Sequence, residues 1–476
     1  MSLTPGEGLP FEVAVRVTGA RVLCAERAPR GVRLETDTRS LHVGDAFVAL
    51  HGERFDGNDF AAEAVAKGAS ALVLDRESAA PPGVTALLVP DTLRAYMALA
   101  AEARTHLWSV VAITGSTGKT TVKVLLEQLI AAAGARSIAP PANENNEIGV
   151  SRLLLRALDR SDDVAIAEFG ARHPDDVARL AAMARPDIGV LTNVGEAHLE
   201  IMGSRERLEE AKWAIFSTGA RAVLNFADDA SRRRAASLAQ APLWSLAADR
   251  FPEIGASDRL CAVIGSNLVI ANAGVVSTYP IDVRLPGAYN RANLAAALAA
   301  LVLLAEQNPE VGAFDDASHR DAILAAIPHL VLPKGRYERI ALGGGPHLIY
   351  DAYNANPSSV IAALDAFAAE TATRRIAVLG SMAELGAESE AMHEQVGERA
   401  AKIVDWLLAG GEYAQALVRG ARRGGLSAQR IVVFASNAEA ADWLKRQARS
   451  DDLVLLKGSR TYRLEEIVEM LGGSLQ

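Results

Sequence analysis

Val110 to Val122 reads V-V-A-I-T-G-S-T-G-K-T-T-V. A run of β-branched and aliphatic residues stops at Gly115 and turns through Ser116, Thr117 and Gly118. From Lys119 the apolar residues return at Val122, Leu125, Leu126 and Leu129, which is helical spacing. The pattern predicts strand, glycine-rich turn and helix. Two glycines let backbone N–H groups face an anion at a helix N-terminus, Lys119 adds a point charge for β- and γ-phosphates, and Thr120 offers a hydroxyl to Mg²⁺. Gly115, Ser116, Thr117, Gly118, Lys119, Thr120 and Thr121 are therefore candidates for holding a nucleoside triphosphate. The spelling is shorter than G-x-x-x-x-G-K-[ST], because Ile113 stands six residues before Lys119. The plainer alternative is an ordinary βα turn with a surface lysine. Strand, glycines, lysine and paired threonines in one context favour the phosphate loop.

The chain has 476 residues, enough for about three domains. Half its residues are hydrophobic and 22% are charged, as in an ordinary soluble globular protein, and the net charge is −9. That balance argues against nucleic acid as a partner, since the densest basic run, Arg232 to Arg234, reads as a solvated helix face. Cys24 and Cys261 are far apart in sequence and have neither disulfide-framework nor zinc spacing. The N-terminus lacks a basic and apolar signal pattern, and the longest apolar run, Leu294 to Ala305, is too short to span a bilayer. A cytoplasmic protein with no membrane insertion is expected.

Residues 1 to about 105 alternate short strands and helical stretches. They carry T-D-T-R-S (Thr36 to Ser40) and G-E-R-F-D-G-N-D-F (Gly52 to Phe60), where turn residues could hold a polar ligand or serve only as turns and caps. Near-continuous apolar runs at 110–114, 163–168, 187–192 and 221–225 predict buried strands of a parallel sheet. Between the first two lies P-A-N-E-N-N-E-I-G-V (Pro141 to Val150), a polar loop. Glu168 ends its strand at the edge where ligand crevices of open α/β sheets lie, a place for a Mg²⁺ ligand or for a capping carboxylate. His198 falls in a loop on the same edge. Lys212, in E-E-A-K-W-A-I-F on a helix predicted over Ser204 to Thr218, reads by itself as a surface lysine with its stem over apolar neighbours. Asn290 and Asn293 share one face at the start of a helix, where amides could read an adenine edge. A third α/β unit follows Leu330, with strands expected near 347–351, 375–379, 403–408, 430–434 and 452–456. Its D-A-Y-N-A-N-P-S-S (Asp351 to Ser359) reads as strand end, polar turn and Pro-initiated helix.

These segments, in this order, resemble the Mur ligase family, ATP-dependent enzymes that extend the UDP-N-acetylmuramoyl peptide of bacterial cell-wall precursors. The resemblance spans nearly the whole chain. The shortened T-G-S-T-G-K-T-T matches that family's phosphate loop. N-E-N-N-E-I-G-V, G-E-A-H-L-E, A-K-W-A-I-F, D-A-Y-N-A-N-P, M-A-E-L-G-A-E-S-E and K-G-S-R resemble the members that join D-alanyl-D-alanine to UDP-MurNAc-tripeptide. The D-N-P-R segment that marks the diaminopimelate-adding members is absent.

The resemblance implies a three-domain α/β architecture: a UDP-sugar domain (1–107), a central phosphate-loop ATPase domain on a parallel sheet (108–331), and a Rossmann-like C-terminal domain (332–476). It implies ATP with two Mg²⁺ ions. Lys119 and Thr120 would meet phosphate and metal, Glu168 and His198 would be further metal ligands, and Lys212 would support the metal, in a carbamylated form. Asn290 and Asn293 would lie near adenine, and Arg336 and Asp351 near phosphate and ribose. Thr38, Arg39, Ser40, Asn143, Asn146, Asn354, Asn356, Lys457 and Arg460 would serve the UDP-MurNAc-tripeptide and the dipeptide. A monomer is implied. Two departures from the family pattern are Tyr289, where histidine is frequent, and Lys334, where proline is commoner before Gly335 and Arg336. Another ligase of the superfamily, a regulatory phosphate-loop ATPase, or a non-catalytic nucleotide-binding scaffold are the rival readings.

Overall fold

The computed structural model describes residues 8–141, 144–160, 164–195, 199–252, 258–272, 274–308, 311, 314 and 316–475. The strand Ser109–Thr114 is buried along its whole length. Its side chains alternate: Val110 and Ala112 enter one core, Val111 and Ile113 the other. A strand with helices on both faces needs apolar residues at every position, which is why this run reads as continuous rather than alternating.

Around it, among the described residues, nine strands form one sheet in the order Ser137–Ile138, Val164–Glu168, Ser109–Thr114, Ile188–Leu191, Arg221–Asn225, Leu243–Ala248, Arg259–Ile264, Asn267–Asn272 and Val275–Pro280. The first seven are parallel, and all four strands expected at this end of the chain are present. The last two run antiparallel as a meander, so the sheet is not parallel throughout. Short turns at Gly265 and Gly274, both with positive φ, permit these reversals where the parallel strands need helical crossovers.

One face of this sheet is covered by the helices Lys119–Ala132 and Ala288–Gln307. The second is long and apolar enough to cross a membrane, but 78% of its apolar window is buried, and it is the core helix of this unit. On the other face, Glu147–Arg160 and Asp176–Ala184 share a core with Thr92–Arg104 and with strands of the N-terminal sheet. That sheet runs Arg21–Leu23, Ala86–Leu88, Ala71–Leu74, Ala46–Val48 and Leu34–Glu35, with only the first pair antiparallel. Arg152 adds a polar tie between the two units, donating to Thr36 Oγ1 at 3.1 Å and to Glu144 Oε1 at 2.9 Å.

A six-stranded sheet forms the third unit: Glu338–Ala341, His347–Tyr350, Asp452–Lys457, Arg374–Gly380, Trp406–Gly410 and Ile431–Phe434. The strand expected at 403–408 begins three residues later. Ile403 and Val404 belong instead to the turn that ends the helix Ser389–Ala401, both backbone N–H groups donating to Ala400 O. Apolar residues in a helix-terminal turn mimic the start of a strand. The helix Pro357–Ala368 starts as its sequence requires, with proline in the first turn and Asn356 closing a capping box with Ser359.

His393 lies fully buried in this unit. Its Nε2 accepts from the Met382 N–H at 2.8 Å, so Nδ1 carries the proton and donates to Ser389 O at 2.6 Å. Burial pulls its pKa below the ordinary value, only partly offset by the bond to Ser389. The unfolded chain binds this proton near pH 6.5 while the folded chain does not. The resulting stability is thus complete above about pH 6.5 and declines as pH falls below it, by at most about 1.4 kcal/mol per pH unit. Thermal melts from neutral pH down to about pH 5 should show the loss, and His393→Gln should flatten it. An unchanged acid slope in that variant would disprove the assignment.

Candidate active site

The phosphate loop is shaped as its glycines demand. Gly115 has φ +146°, and a Cβ there would sit 1.9 Å from Thr192 Oγ1. Gly118 has φ +85°, and its Cβ would sit 2.4 Å from Asn293 Oδ1. Both positions exclude a side chain, one for the neighbouring strand end and one for the helix Ala288–Gln307. The loop is braced by the strand end Thr192–Asn193. Ser116 N donates to Asn193 O at 3.0 Å, Thr117 N to Asn193 Oδ1 at 3.2 Å, and Thr192 Oγ1 to Thr117 O at 2.6 Å. Thr192 and Asn193 are not among the sequence candidates, because a polar pair ending a strand carries no signal of its own.

Ser116, Thr117, Gly118, Lys119 and Thr120 line a cavity of about 580 Å³ that also receives Asn145, Asn146, Arg172 and His173 from the central unit and Arg336, Tyr353, Asn354 and Asn356 from the third. A smaller space of about 160 Å³ adjoins it, lined by Thr117, Gly118, Thr121, Tyr289, Asn293, Arg336, Asp351 and Lys457. Asn290 donates to Pro286 O at 2.9 Å, and Asn293 donates to Asn290 Oδ1 at 3.3 Å. The two amides are therefore interlocked, with only Asn293 reaching the second space. Among the described residues no hydrogen bond of normal geometry reaches the buried Tyr289 hydroxyl, and burial drives its pKa strongly upward.

Lys119 Nζ donates to Gly115 O at 2.7 Å. Burial lowers its pKa, which the Glu168 carboxylate opposes. Thr120 Oγ1 donates to Glu168 Oε2 at 3.1 Å, and the other oxygen, Oε1, lies 3.0 Å from Lys123 Nζ. Lys123 is buried and also donates to Pro140 O at 2.7 Å. Nothing in the sequence singles this residue out, since a lysine one turn along an amphipathic helix looks like a solvated one.

Lys212 is 1% exposed. Among the described residues no hydrogen bond or ion pair reaches its ammonium. Burial drives its pKa well below the usual lysine value, and the positive charge of Lys119 pushes the same way. The helix is shorter than predicted, Arg205–Trp213, with a tighter turn at Ala214–Phe216, and Lys212 is buried within it. It is not the surface lysine that its neighbours alone suggest.

From the third unit, Arg336 lies over the Tyr353 ring at 4.7 Å, and Arg460 approaches the same ring at 5.9 Å while remaining largely exposed. Lys457 points inward. Its Nζ lies 3.1 Å from Asp351 Oδ2 and donates to the carbonyls of Asp351 and Asn354 at 2.9 and 3.1 Å. Asn354 and Asn356 accept from backbone N–H groups of their own turn. Lys334 is exposed. Asn146 caps the helix Glu147–Arg160 by accepting from Gly149 N at 3.0 Å. Asn143 and His198 lie outside the described residues.

Some 630 Å³ of separate cavity opens between the N-terminal unit and the helix Glu147–Arg160, lined by Thr38, Arg39, Phe47, His51, Phe55, Phe60 and Arg152. Thr38 Oγ1 donates to Glu63 Oε1 at 2.8 Å. Arg39 forms a fork with Asp37, whose pKa it pulls down to about 2. Ser40 is exposed and does not line the cavity.

The donor chemistry fits Mg²⁺. Thr120 Oγ1 and Glu168 Oε2 are hard oxygens 3.1 Å apart. Adjacent ligands of an octahedral ion at about 2.1 Å stand roughly 3 Å apart. Among the described residues no group of three or more His, Cys, Asp or Glu converges. Phosphate oxygens and water would have to complete the shell, which is the usual manner of Mg²⁺ at nucleotide sites.

Three family models match the chain: Mur ligase family, catalytic domain, over residues 33–105; Mur ligase middle domain, over 113–301; and Mur ligase, glutamate ligase domain, over 335–460. The UDP-N-acetylmuramoyl-tripeptide–D-alanyl-D-alanine ligase of Escherichia coli (strain K12) is 36% identical across 92% of both chains. The Bacillus subtilis (strain 168) ligase of the same name is 31% identical, again across 92% of both. Among solved structures, MurF from Acinetobacter baumannii superposes with a TM-score of 0.82 at 26% identity, covering 98% of this chain and 100% of its own. MurF ligase from Thermotoga maritima in complex with ADP superposes at 0.75 with 28% identity, covering 92% and 97%. Phosphate loop, strand-end carboxylate and third-unit arginine thus sit in a chain similar to these ligases nearly end to end, and the chain belongs to the Mur ligase family.

Proposed function

We propose that this chain joins D-alanyl-D-alanine to UDP-MurNAc-tripeptide at the expense of ATP, giving the pentapeptide precursor, ADP and phosphate in the cytoplasm. The observation that carries the reading is the cavity where Lys119, Thr120, Gly170 and Ala171 of the central unit meet Arg336, Tyr353 and Asn354 of the third unit. Two substrates must meet between units for a ligation, whereas a simple ATPase needs only the central one.

A carboxylate is a poor electrophile, so its oxygen first attacks the γ-phosphorus of ATP, forming an acyl phosphate and releasing ADP. The dipeptide amine then attacks the acyl carbon, phosphate leaves, and the amine gives up its proton. Lys119 places a fixed cation beside the transferred phosphoryl group, and Arg336 supports it from the third unit. Thr120 and Glu168 would hold Mg²⁺, which when bound neutralises phosphate charge; His198 and Lys212 would serve a second such ion. Lys212, whose ammonium form burial disfavours, would as its neutral amine add CO₂, release a proton and become a carbamate. Asp351, tied by Lys457, serves the ribose, and Asn293 the adenine. The N-terminal unit (1–107) takes the uridine diphosphate end in the cavity lined by Thr38 and Arg39, the central unit (108–331) takes ATP, and the third (332–476) closes over both. The enzyme acts as a monomer.

Phosphate release measured with each of ATP, Mg²⁺, UDP-MurNAc-tripeptide and D-alanyl-D-alanine omitted in turn, with products weighed, tests this. Release should require both substrates and yield the pentapeptide mass. Release indifferent to the dipeptide would sink the reading and favour a regulatory ATPase.

A further inference from the structure

We propose that Lys123 is a positioning residue for the metal-binding carboxylate, anchoring Glu168 by Oε1 so that Oε2 alone is offered beside Thr120. The inference rests on the Mg²⁺ reading of the site given above. Lys119 and Lys123 are one turn apart on the same helix: Lys119 Nζ donates to Gly115 O, while Lys123 Nζ donates to Pro140 O at 2.7 Å and stands 3.0 Å from Glu168 Oε1, an ion-pair contact without hydrogen-bond geometry. Glu168 is 0% exposed and Lys123 2% exposed, so water screens neither charge. A buried ion pair is weak evidence for stability, since apolar replacements of both partners are often neutral or better. Its geometric effect is definite. The terminal torsion of a glutamate is broad, and a buried ammonium 3.0 Å from one oxygen narrows that freedom by charge alone, since among the described residues Oε1 accepts no hydrogen bond.

Two opposed consequences follow for a metal at Oε2. The nearby ammonium repels a dication, while the pinned and charge-compensated carboxylate stays correctly turned toward it. The ammonium meets the oxygen distal to Thr120, so the second effect dominates. Outer partners that orient a ligating carboxylate are typically worth ten- to a hundredfold in metal affinity. Lys123 also ties the backbone at Pro140 to the same carboxylate, joining the loop that leads to Asn145 and Asn146 to the strand end.

The test is Mn²⁺ binding to the full chain with a non-hydrolysable ATP analogue, read by electron paramagnetic resonance, alongside analogue binding without metal. Lys123→Met should weaken Mn²⁺ at least tenfold and leave metal-free analogue binding within about twofold, while Lys123→Arg, which keeps the cation, restores most of the affinity. Equal or tighter Mn²⁺ binding in Lys123→Met overturns the inference. If that variant does not fold, Glu168→Gln is compared with the Lys123→Met/Glu168→Gln double variant, which carries no unpaired buried charge. Equal Mn²⁺ binding by those two supports action through Glu168, and further loss in the double variant overturns it. Wild-type protein that binds no Mn²⁺ with the analogue removes the metal reading itself, an outcome distinct from wild-type binding that Lys123→Met leaves untouched.

Discussion

Lys119→Ala yields a folded protein in which ligation falls at least a hundredfold, to the limit of detection. The side chain borders the cavity, and within the described residues its hydrogen bond is to Gly115 O. Losing that bond costs the fold about 1 kcal/mol, and alanine at the first helical position returns part of it. The chemical cost is larger. A fixed cation aimed at charge that develops in the transition state is worth about 3 kcal/mol or more, a hundredfold in rate. The side chain is half-buried and burial lowers its pKa, so part of the ammonium's desolvation is met before nucleotide arrives. Single-turnover phosphate release and a thermal melt together check the claim. Near-normal ligation, or a collapsed melt, would contradict it.

Lys212→Met should separate stability from activity in the opposite direction. A buried ammonium with no counter-ion within the described residues is a liability to the fold, and its depressed pKa expresses that cost. The unfolded chain binds this proton more readily than the folded one, so folding works against it at neutral pH. An apolar side chain of similar length removes the penalty. In bicarbonate-free buffer the variant should be more stable than the parent by about 1–3 kcal/mol, while ligation falls at least a hundredfold. With carbon-13-labelled bicarbonate, the parent should show a carbamate resonance that the variant lacks. A variant that is less stable yet still active would mean that Lys212 is a packing residue.

The central sheet is legible in the sequence because continuous apolar runs bounded by turns fit buried strands and little else, and the phosphate loop because glycine, lysine and threonine occur there in one spacing. Contacts between distant segments are not legible in that way. Lys212 reads as a helix-surface lysine and Lys123 carries no sequence signal, and only the fold shows that each is buried. Thr192 and Asn193 brace the loop from another strand, a pairing that local pattern cannot display. Lys457 is a sequence candidate for binding substrate, and the fold adds that its ammonium holds Asp351 and Asn354. Ile403 and Val404 misplace a strand start, since two apolar residues fit a helix-end turn as readily as an extended chain.

The bonds around Lys457 have a mechanical result. Asp351, Asn354 and the strand Asp452–Lys457 are stitched into a single body, Asn356 is locked by its capping box, and the Arg336 guanidinium is parked on Tyr353. Any swing of the third unit therefore delivers these groups together, as the finished half of a mould. The entropy lost on assembling the site is that of one hinge rather than of half a dozen separately wandering side chains.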